Sequence, residues 1–238
     1  MKSSTSEQTA LITGGSRGIG AGIATKLAEM GLKTVILGRN REALRTTAEH
    51  ITAKRGTCLA KVCNLEDQTE VEQVAREVES QTGAPDILVN CAGVALMGRQ
   101  LLECTAADWD RVMNTNLRGV FFAIKAFAPA MVIARRGHII NISSIAGRNP
   151  LPGGAIYSAS KWGLNGLSYS LAEELRIYNI RVSVVSPGSV STDFSGHKGR
   201  NKEKMLTPAD VAHAVAMLLT QAPQSFISEV ILRPTQKP

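Results

Sequence analysis

Several things are scarce in this sequence, and each scarcity removes a class of function. No apolar run reaches the roughly eighteen residues of a membrane-spanning helix, which on sequence grounds excludes such a segment. The net charge of +7 suggests a nucleic-acid binder, but Lys and Arg are scattered and aromatic residues make up only 4%. A basic surface that attracts an anionic cofactor or substrate fits better. The four cysteines, Cys58, Cys63, Cys91 and Cys104, form no CxxC and have no partnered histidine spacing, so no metal site is expected. They read as small thiols packed in a reducing compartment. The opening residues Met1–Gln8 lack the apolar stretch of a signal peptide and read as a disordered polar tail on a cytoplasmic protein. Repeats, low-complexity tracts and linkers are also missing. With 44% apolar and 20% charged residues, residues 9–238 suit one globular domain.

What is present is a regular alternation. Apolar, β-favouring runs at Thr9–Thr13, Thr34–Leu37, Cys58–Val62, Asp86–Val89, Gly137–Ile142, Arg181–Val185 and Glu229–Leu232 read as strands. Helical periodicity lies between them, with long stretches over Ala106–Ala134 and Ile156–Tyr178. Strands alternating with helices predict an α/β fold, a doubly wound parallel sheet of about seven strands with helices on both faces.

Six polar or glycine-rich segments follow strands: Gly14–Gly20, Gly38–Arg39, Asn64, Asn90–Gly93, Ser143–Ser144 and Pro187–Thr192. In such a sheet all six lie at the C-terminal edge, where ligands bind. The first, between a strand and a helix, suits a dinucleotide pyrophosphate, because glycines let backbone amides and the helix N-terminus approach it. The end of the second strand carries Gly38 and Arg39 and no acid, with Arg17 nearby in the glycine turn. Two guanidiniums suit a 2′-phosphate, so NADP(H) is expected over NAD(H).

Tyr157 and Lys161 stand four residues apart and project from one face of a helix. A phenol beside an ammonium is an acid/base unit for an alcohol or carbonyl oxygen, and the ammonium is expected to lower the phenol pKa. Such pairs also occur on ordinary amphipathic helices. This pair gains meaning from the strand ends around it.

Together these motifs (Thr13-Gly14-x-x-x-Gly18-x-Gly20, Asn90-x-Ala92-Gly93, Asn116, Ser144, Tyr157-x-x-x-Lys161, Pro187-Gly188 and Thr192) resemble the short-chain dehydrogenases/reductases over nearly the full length. Within that family the chain resembles the 3-oxoacyl-carrier-protein reductases and similar carbonyl reductases. The resemblance implies a single-domain Rossmann fold and a hydride transfer between NADP(H) and a carbonyl or secondary alcohol. Asn116, Ser144, Tyr157 and Lys161 would be catalytic. Tyr157 would be the acid/base, Lys161 would hold the ribose, Ser144 would donate to the substrate oxygen, and Asn116 would open its helix around a water. Gly14, Ser16, Arg17, Gly18, Ile19, Gly20, Arg39, Asn64, Leu65, Asn90, Ala92, Gly93, Pro187, Gly188, Val190 and Thr192, with Tyr157 and Lys161, would bind the cofactor. Residues 193–206 would cover a small-molecule substrate, and the two long helices would pair subunits into a homodimer or homotetramer.

Three departures stand out. Asn64 replaces the usual Asp beside the adenine, Cys91 replaces a second Asn, and the C-terminus lacks the glycine pair of carrier-protein reductases. A 3-oxoacyl-carrier-protein or acyl-CoA reductase therefore ranks second. Arg135 and Arg136 are a basic pair that an acyl-carrier protein could use, with solvated loop charges the plainer reading. A non-catalytic NADP(H)-binding regulator is the alternative from another class. Members of that kind commonly lose the Tyr or Lys, and both are present here.

Overall fold

The computed structural model describes residues 8–194 and 201–238. Most of the expected polar tail, and residues 195–200 of the expected substrate-covering loop, lie outside them. Seven strands form one all-parallel sheet in the order β3-β2-β1-β4-β5-β6-β7. They are β1 (Thr9–Thr13), β2 (Lys33–Gly38), β3 (Thr57–Val62), β4 (Ile87–Asn90), β5 (Gly137–Ile142), β6 (Ile180–Pro187) and β7 (Glu229–Leu232). The helices are α1 (Gly18–Glu29), α2 (Arg41–Ala53), α3 (Gln68–Thr82), α4 (Ala106–Met113), α5 (Gly119–Ala134), α6 (Ala155–Leu175) and α7 (Pro208–Leu219).

The pleat divides the core into two layers, since successive side chains on a strand point to opposite faces. Ala10 and Ile12 of β1 pack with Ile23 and Leu27 of α1 and with Val211, Val215 and Leu218 of α7. Leu11, on the other face, joins Val71 and Val74 of α3, Ile124, Phe127 and Met131 of α5, and Leu164 of α6. Both faces are covered, so the inner strands are apolar throughout instead of alternating. Fully burying each such aliphatic side chain contributes about 1.5–3 kcal/mol.

Strand order reverses between β1 and β4, and there the loops leave a crevice at the strand C-termini. Local chemistry fixes the helix starts that face it. The Asn40 side chain accepts from the Ala43 amide to cap α2, and Asp67 accepts from Thr69 and Glu70 to cap α3. Thr207 and Asp210 form a reciprocal capping box on α7, with Pro208 at its first position.

The segment read as one long helix over 106–134 is interrupted. A π-helical turn at Asn114–Arg118 joins α4 to α5, with the Gly119 amide bonded to the Asn114 carbonyl. This 29-residue stretch is long and apolar enough to cross a membrane, which corrects the expectation that no segment could. A strict count of consecutive apolar residues missed it because Asn, Arg, Gly and Lys punctuate it. In the fold one face lies on the sheet, with Val120, Ala123, Ile124, Phe127 and Met131 buried.

Candidate active site

The crevice is a cleft of about 660 Å³. Its walls include the glycine turn, the Gly38–Arg39 and Cys63–Glu66 strand ends, Cys91–Val94, Ser143–Ala146, Tyr157, Lys161 and residues 187–194. Every expected site residue except Asn90 and Asn116 lines it.

At the turn, close approach demands glycine. Gly14 has φ +68°, and a Cβ there would stand 2.7 Å from Ala92 Cα. A Cβ on Gly20 would stand 2.2 Å from the Gly14 carbonyl oxygen and 3.2 Å from Gly15 Cα, both backbone atoms. Gly20→Ala should therefore displace the turn, abolish dinucleotide binding and lower the melting temperature, read by thermal unfolding with and without NADPH. A variant that melts and binds like the parent would contradict this packing. Thr13 fastens the opposite lip, its Oγ1 accepting from the Cys91 and Ala92 amides at 3.0 and 3.1 Å.

The cleft suits a dinucleotide bearing a 2′-phosphate. A Cβ at Gly38 would meet Ser16 Oγ at 3.6 Å, an ordinary contact, so the side chain missing there leaves room beside Ser16, Arg17 and Arg39. Asn64 lies on the same wall, but its Oδ1 already accepts from the Glu66 amide at 3.3 Å, leaving reduced capacity for an adenine amino group.

The reactive end is built by α6, which β5 and the turn after it support. Tyr157 and Lys161 are both buried, with 4% of each exposed. Ser144 Oγ accepts from the Ala146 amide at 3.1 Å, which leaves its hydrogen free to donate. Ser143 instead turns its hydroxyl toward the Lys161 carbonyl at 3.5 Å, so Ser144 is the serine beside Tyr157.

The expected depression of the Tyr157 pKa does not hold. Burial pushes the phenol up to about 12, against a hydrogen bond with Ser144 that works the other way and the Cys91 thiol, which adds to the rise. Lys161 is pushed down to about 8 by burial, and its Nζ donates to the Ile142 carbonyl at 2.9 Å. That nitrogen stands 5.9 Å from the Tyr157 ring centre. At neutral pH the phenol keeps its proton and the amine is mostly charged. Cys91, half-buried in the wall, has its thiol pushed up to about 12 by burial, as a packing residue would.

Two expected residues support the cleft from behind it. Asn116, in the π-turn, accepts from the Val94 amide at 2.8 Å and donates to the Val94 carbonyl at 2.9 Å and to Ser160 Oγ at 3.0 Å. Its side chain thus fixes the β4 loop against α6 and does not line the cleft. Asn90 is a correction to its expected cofactor contact. Its side chain is buried and donates to Asn141, which donates to Ser168, each across 51 and 27 residues of sequence. The β4 pleat turns it inward, and only the following residues reach the ligand side.

Sequence reasoning missed Glu66, Thr115 and Phe194. Phe194 makes an edge-on ring contact with Tyr157 at 6.1 Å and lines the cleft. It stands two residues after Thr192, which was the available signal. Arg135 and Arg136 lie elsewhere, between α5 and β5 at the opposite edge of the sheet. Arg135 donates to the Ile177 carbonyl at 2.8 Å and Arg136 pairs with Asp86 at 3.1 Å.

Comparison with known proteins gives a consistent result. The family model for short chain dehydrogenase matches residues 8–203. An uncharacterized oxidoreductase of Staphylococcus saprophyticus is 34% identical over 96% of this chain and 97% of its own length. A 3-oxoacyl-[acyl-carrier-protein] reductase of Staphylococcus aureus is 37% identical over 94% and 95%. The crystal structure of a metagenomic short-chain oxidoreductase in complex with NADP is 46% identical, with TM-score 0.87 over 99% of this chain and 100% of that one.

Proposed function

The chain belongs to the short-chain dehydrogenase family of oxidoreductases, and from that membership we propose that it is an NADP(H)-dependent carbonyl reductase with Tyr157 as acid/base. One observation carries the reading: Ser144, Tyr157 and Lys161 meet at one end of the same cleft whose other end holds the glycine turn and two arginines beside an acid-free Gly38. The 46% identical relative whose structure contains NADP supports the choice of cofactor. The nicotinamide, when bound, supplies or takes the hydride.

The protein's own part is positional and electrostatic. Tyr157 holds its proton at neutral pH and delivers it to the carbonyl oxygen as negative charge develops there. Ser144 donates a second hydrogen bond to that oxygen. The Lys161 ammonium stabilises the phenolate left behind, since an opposite charge close by in a buried site acts strongly. Asn116 keeps the β4 loop and α6 in register. In the reverse direction Tyr157 would take the alcohol proton.

The test is loss of reduced-nicotinamide absorbance with NADPH and NADH in parallel against acetoacetyl thioester, simple aldehydes, diketones, quinones and a ketose. Turnover of at least one carbonyl with NADPH preferred is the expected result. Cofactor binding with turnover of none would overturn the reading in favour of a binding-only regulator. The relative at 37% identity favours a second reading, a 3-oxoacyl thioester reductase. Turnover concentrated on the thioester would select it. A carrier protein would then dock at the cleft mouth, because Arg135 and Arg136 face the other edge.

The same reading places the protein in the cytoplasm as a homodimer or homotetramer. Its support is the four free thiols, which suit a reducing compartment, and an apolar outer surface on α4, α5 and α6, where Trp109, Phe121 and Trp162 are exposed. Light scattering should give a dimer or tetramer, and Phe121→Glu should shift it toward monomer. A wild-type monomer at micromolar concentration would contradict the pairing.

A further inference from the structure

At the end of the cleft away from Tyr157, the strand ends of β2 and β3 lie side by side, with Gly38 paired to Val62. Arg39 and Glu66 leave these ends and both line the cleft. The Arg39 guanidinium lies 3.8 Å from Glu66 Oε1. The same carboxylate oxygen accepts from the Thr115 hydroxyl at 2.6 Å. Thr115 is buried in the π-turn, and its one hydroxyl proton is shared between Glu66 Oε1 and the Arg111 carbonyl, 2.9 Å away. The two partners are therefore held unequally. Glu66 is anchored by Thr115 and 31% exposed, whereas Arg39 is 65% exposed.

We infer that Glu66 is a specificity-determining residue of the cofactor cleft, a fixed counter-charge that occupies Arg39 and opposes a 2′-phosphate. The inference rests on the reading of Arg39 as the residue that takes that phosphate. An exposed pair at this distance contributes little to folding, so its consequence falls on the ligand. A phosphate carrying roughly two negative charges must compete with Glu66 for the guanidinium and is repelled by the carboxylate. A 2′-hydroxyl meets neither effect. Glu66 thus trims the preference for NADP(H) over NAD(H) that Arg17, Arg39 and the acid-free Gly38 create. The usual acid beside the adenine is an amide here, Asn64. The carboxylate two residues later restores part of the negative potential at the same wall.

The test is equilibrium binding of NADPH and NADH, followed by nicotinamide fluorescence, to the wild type, Glu66→Gln and Arg39→Ala. The amide oxygen of Gln can still accept from Thr115, so the variant keeps the local fold and loses only charge. At low ionic strength Glu66→Gln should tighten NADPH about five- to tenfold and change NADH less than about twofold, and the gain should shrink near 0.5 M salt. Arg39→Ala should loosen NADPH alone, about tenfold or more. If Arg39→Ala discriminates but Glu66→Gln leaves the NADPH/NADH ratio unchanged, or loosens NADPH, the inference about Glu66 is wrong and the reading of Arg39 survives. If Arg39→Ala shifts both cofactors equally, the reading of Arg39 falls and the inference with it.

Discussion

Tyr157→Phe should reduce carbonyl turnover by about two to four orders of magnitude, the usual contribution of a positioned general acid, while NADPH binds nearly as before. The phenol is buried and its proton is held to about pH 12, so at neutral pH it is a donor ready for use. Phe fills the same space and keeps the edge-on contact with Phe194. What disappears is the one hydroxyl that can protonate the product oxygen, together with its hydrogen bond to Ser144. Steady-state rates and NADPH dissociation constants, measured on one preparation, separate the two effects. Wild-type-like turnover in this variant would remove Tyr157 from the mechanism. A parallel loss of NADPH binding would make its role structural.

Lys161→Met should abolish turnover and at the same time stabilise the ligand-free protein. The ammonium is fully enclosed, and burial lowers its pKa from 10.5 to about 8, which corresponds to a cost of about 3 kcal/mol. The sign follows from proton linkage. Below about pH 8 the side chain is charged in both folded and unfolded chains, and the fold carries the whole cost. Between about pH 8 and 10.5 the unfolded chain holds a proton that the folded one has released, so wild-type stability from this group rises with pH. Met has similar volume and no charge. It leaves the Ile142 carbonyl without its donor, which returns about 1 kcal/mol. A net gain of about 2 kcal/mol should raise the melting temperature by about 4–8 °C at neutral pH. The difference from wild type should narrow as pH climbs toward 10.5. A destabilised Lys161→Met protein, or a difference independent of pH, would mean that the amine is not held at a cost. The pair illustrates a site tuned for chemistry at the expense of the fold.

The alternation of strands and helices was legible because parallel strands covered on both faces are continuous apolar runs, and each ends in a glycine or polar turn. The ligand edge followed from topology alone. The glycine turn, Gly38–Arg39, Ser144, Tyr157 and Lys161 all reach one cleft, as their strand-end positions required. The failures have physical causes. Asn90 sits on a motif but the pleat points it into the sheet, and a linear pattern does not carry that parity once a strand shifts by one residue. The break in the long helix at Asn114–Arg118 escaped the periodicity, because one extra residue in a helical turn leaves the apolar pattern almost unaltered. The sign of the Tyr157 shift was misread because spacing gives proximity to Lys161 but says nothing of burial, and burial dominates here. Glu66 and Thr115 touch across 49 residues of sequence, a tertiary contact that no local pattern announces.

The measurement that bears most directly on the central claim uses NADPH deuterated at the transferring position of the nicotinamide, with a diketone or acetoacetyl thioester as acceptor. Mass analysis would locate the label in the product of the wild type and of Tyr157→Phe. The account predicts one deuterium on the carbinol carbon for the wild type. It predicts only trace product for Tyr157→Phe, although both proteins bind NADPH. NADPH bound by the wild type with no label in any acceptor, or equal labelled product from both proteins, would contradict it.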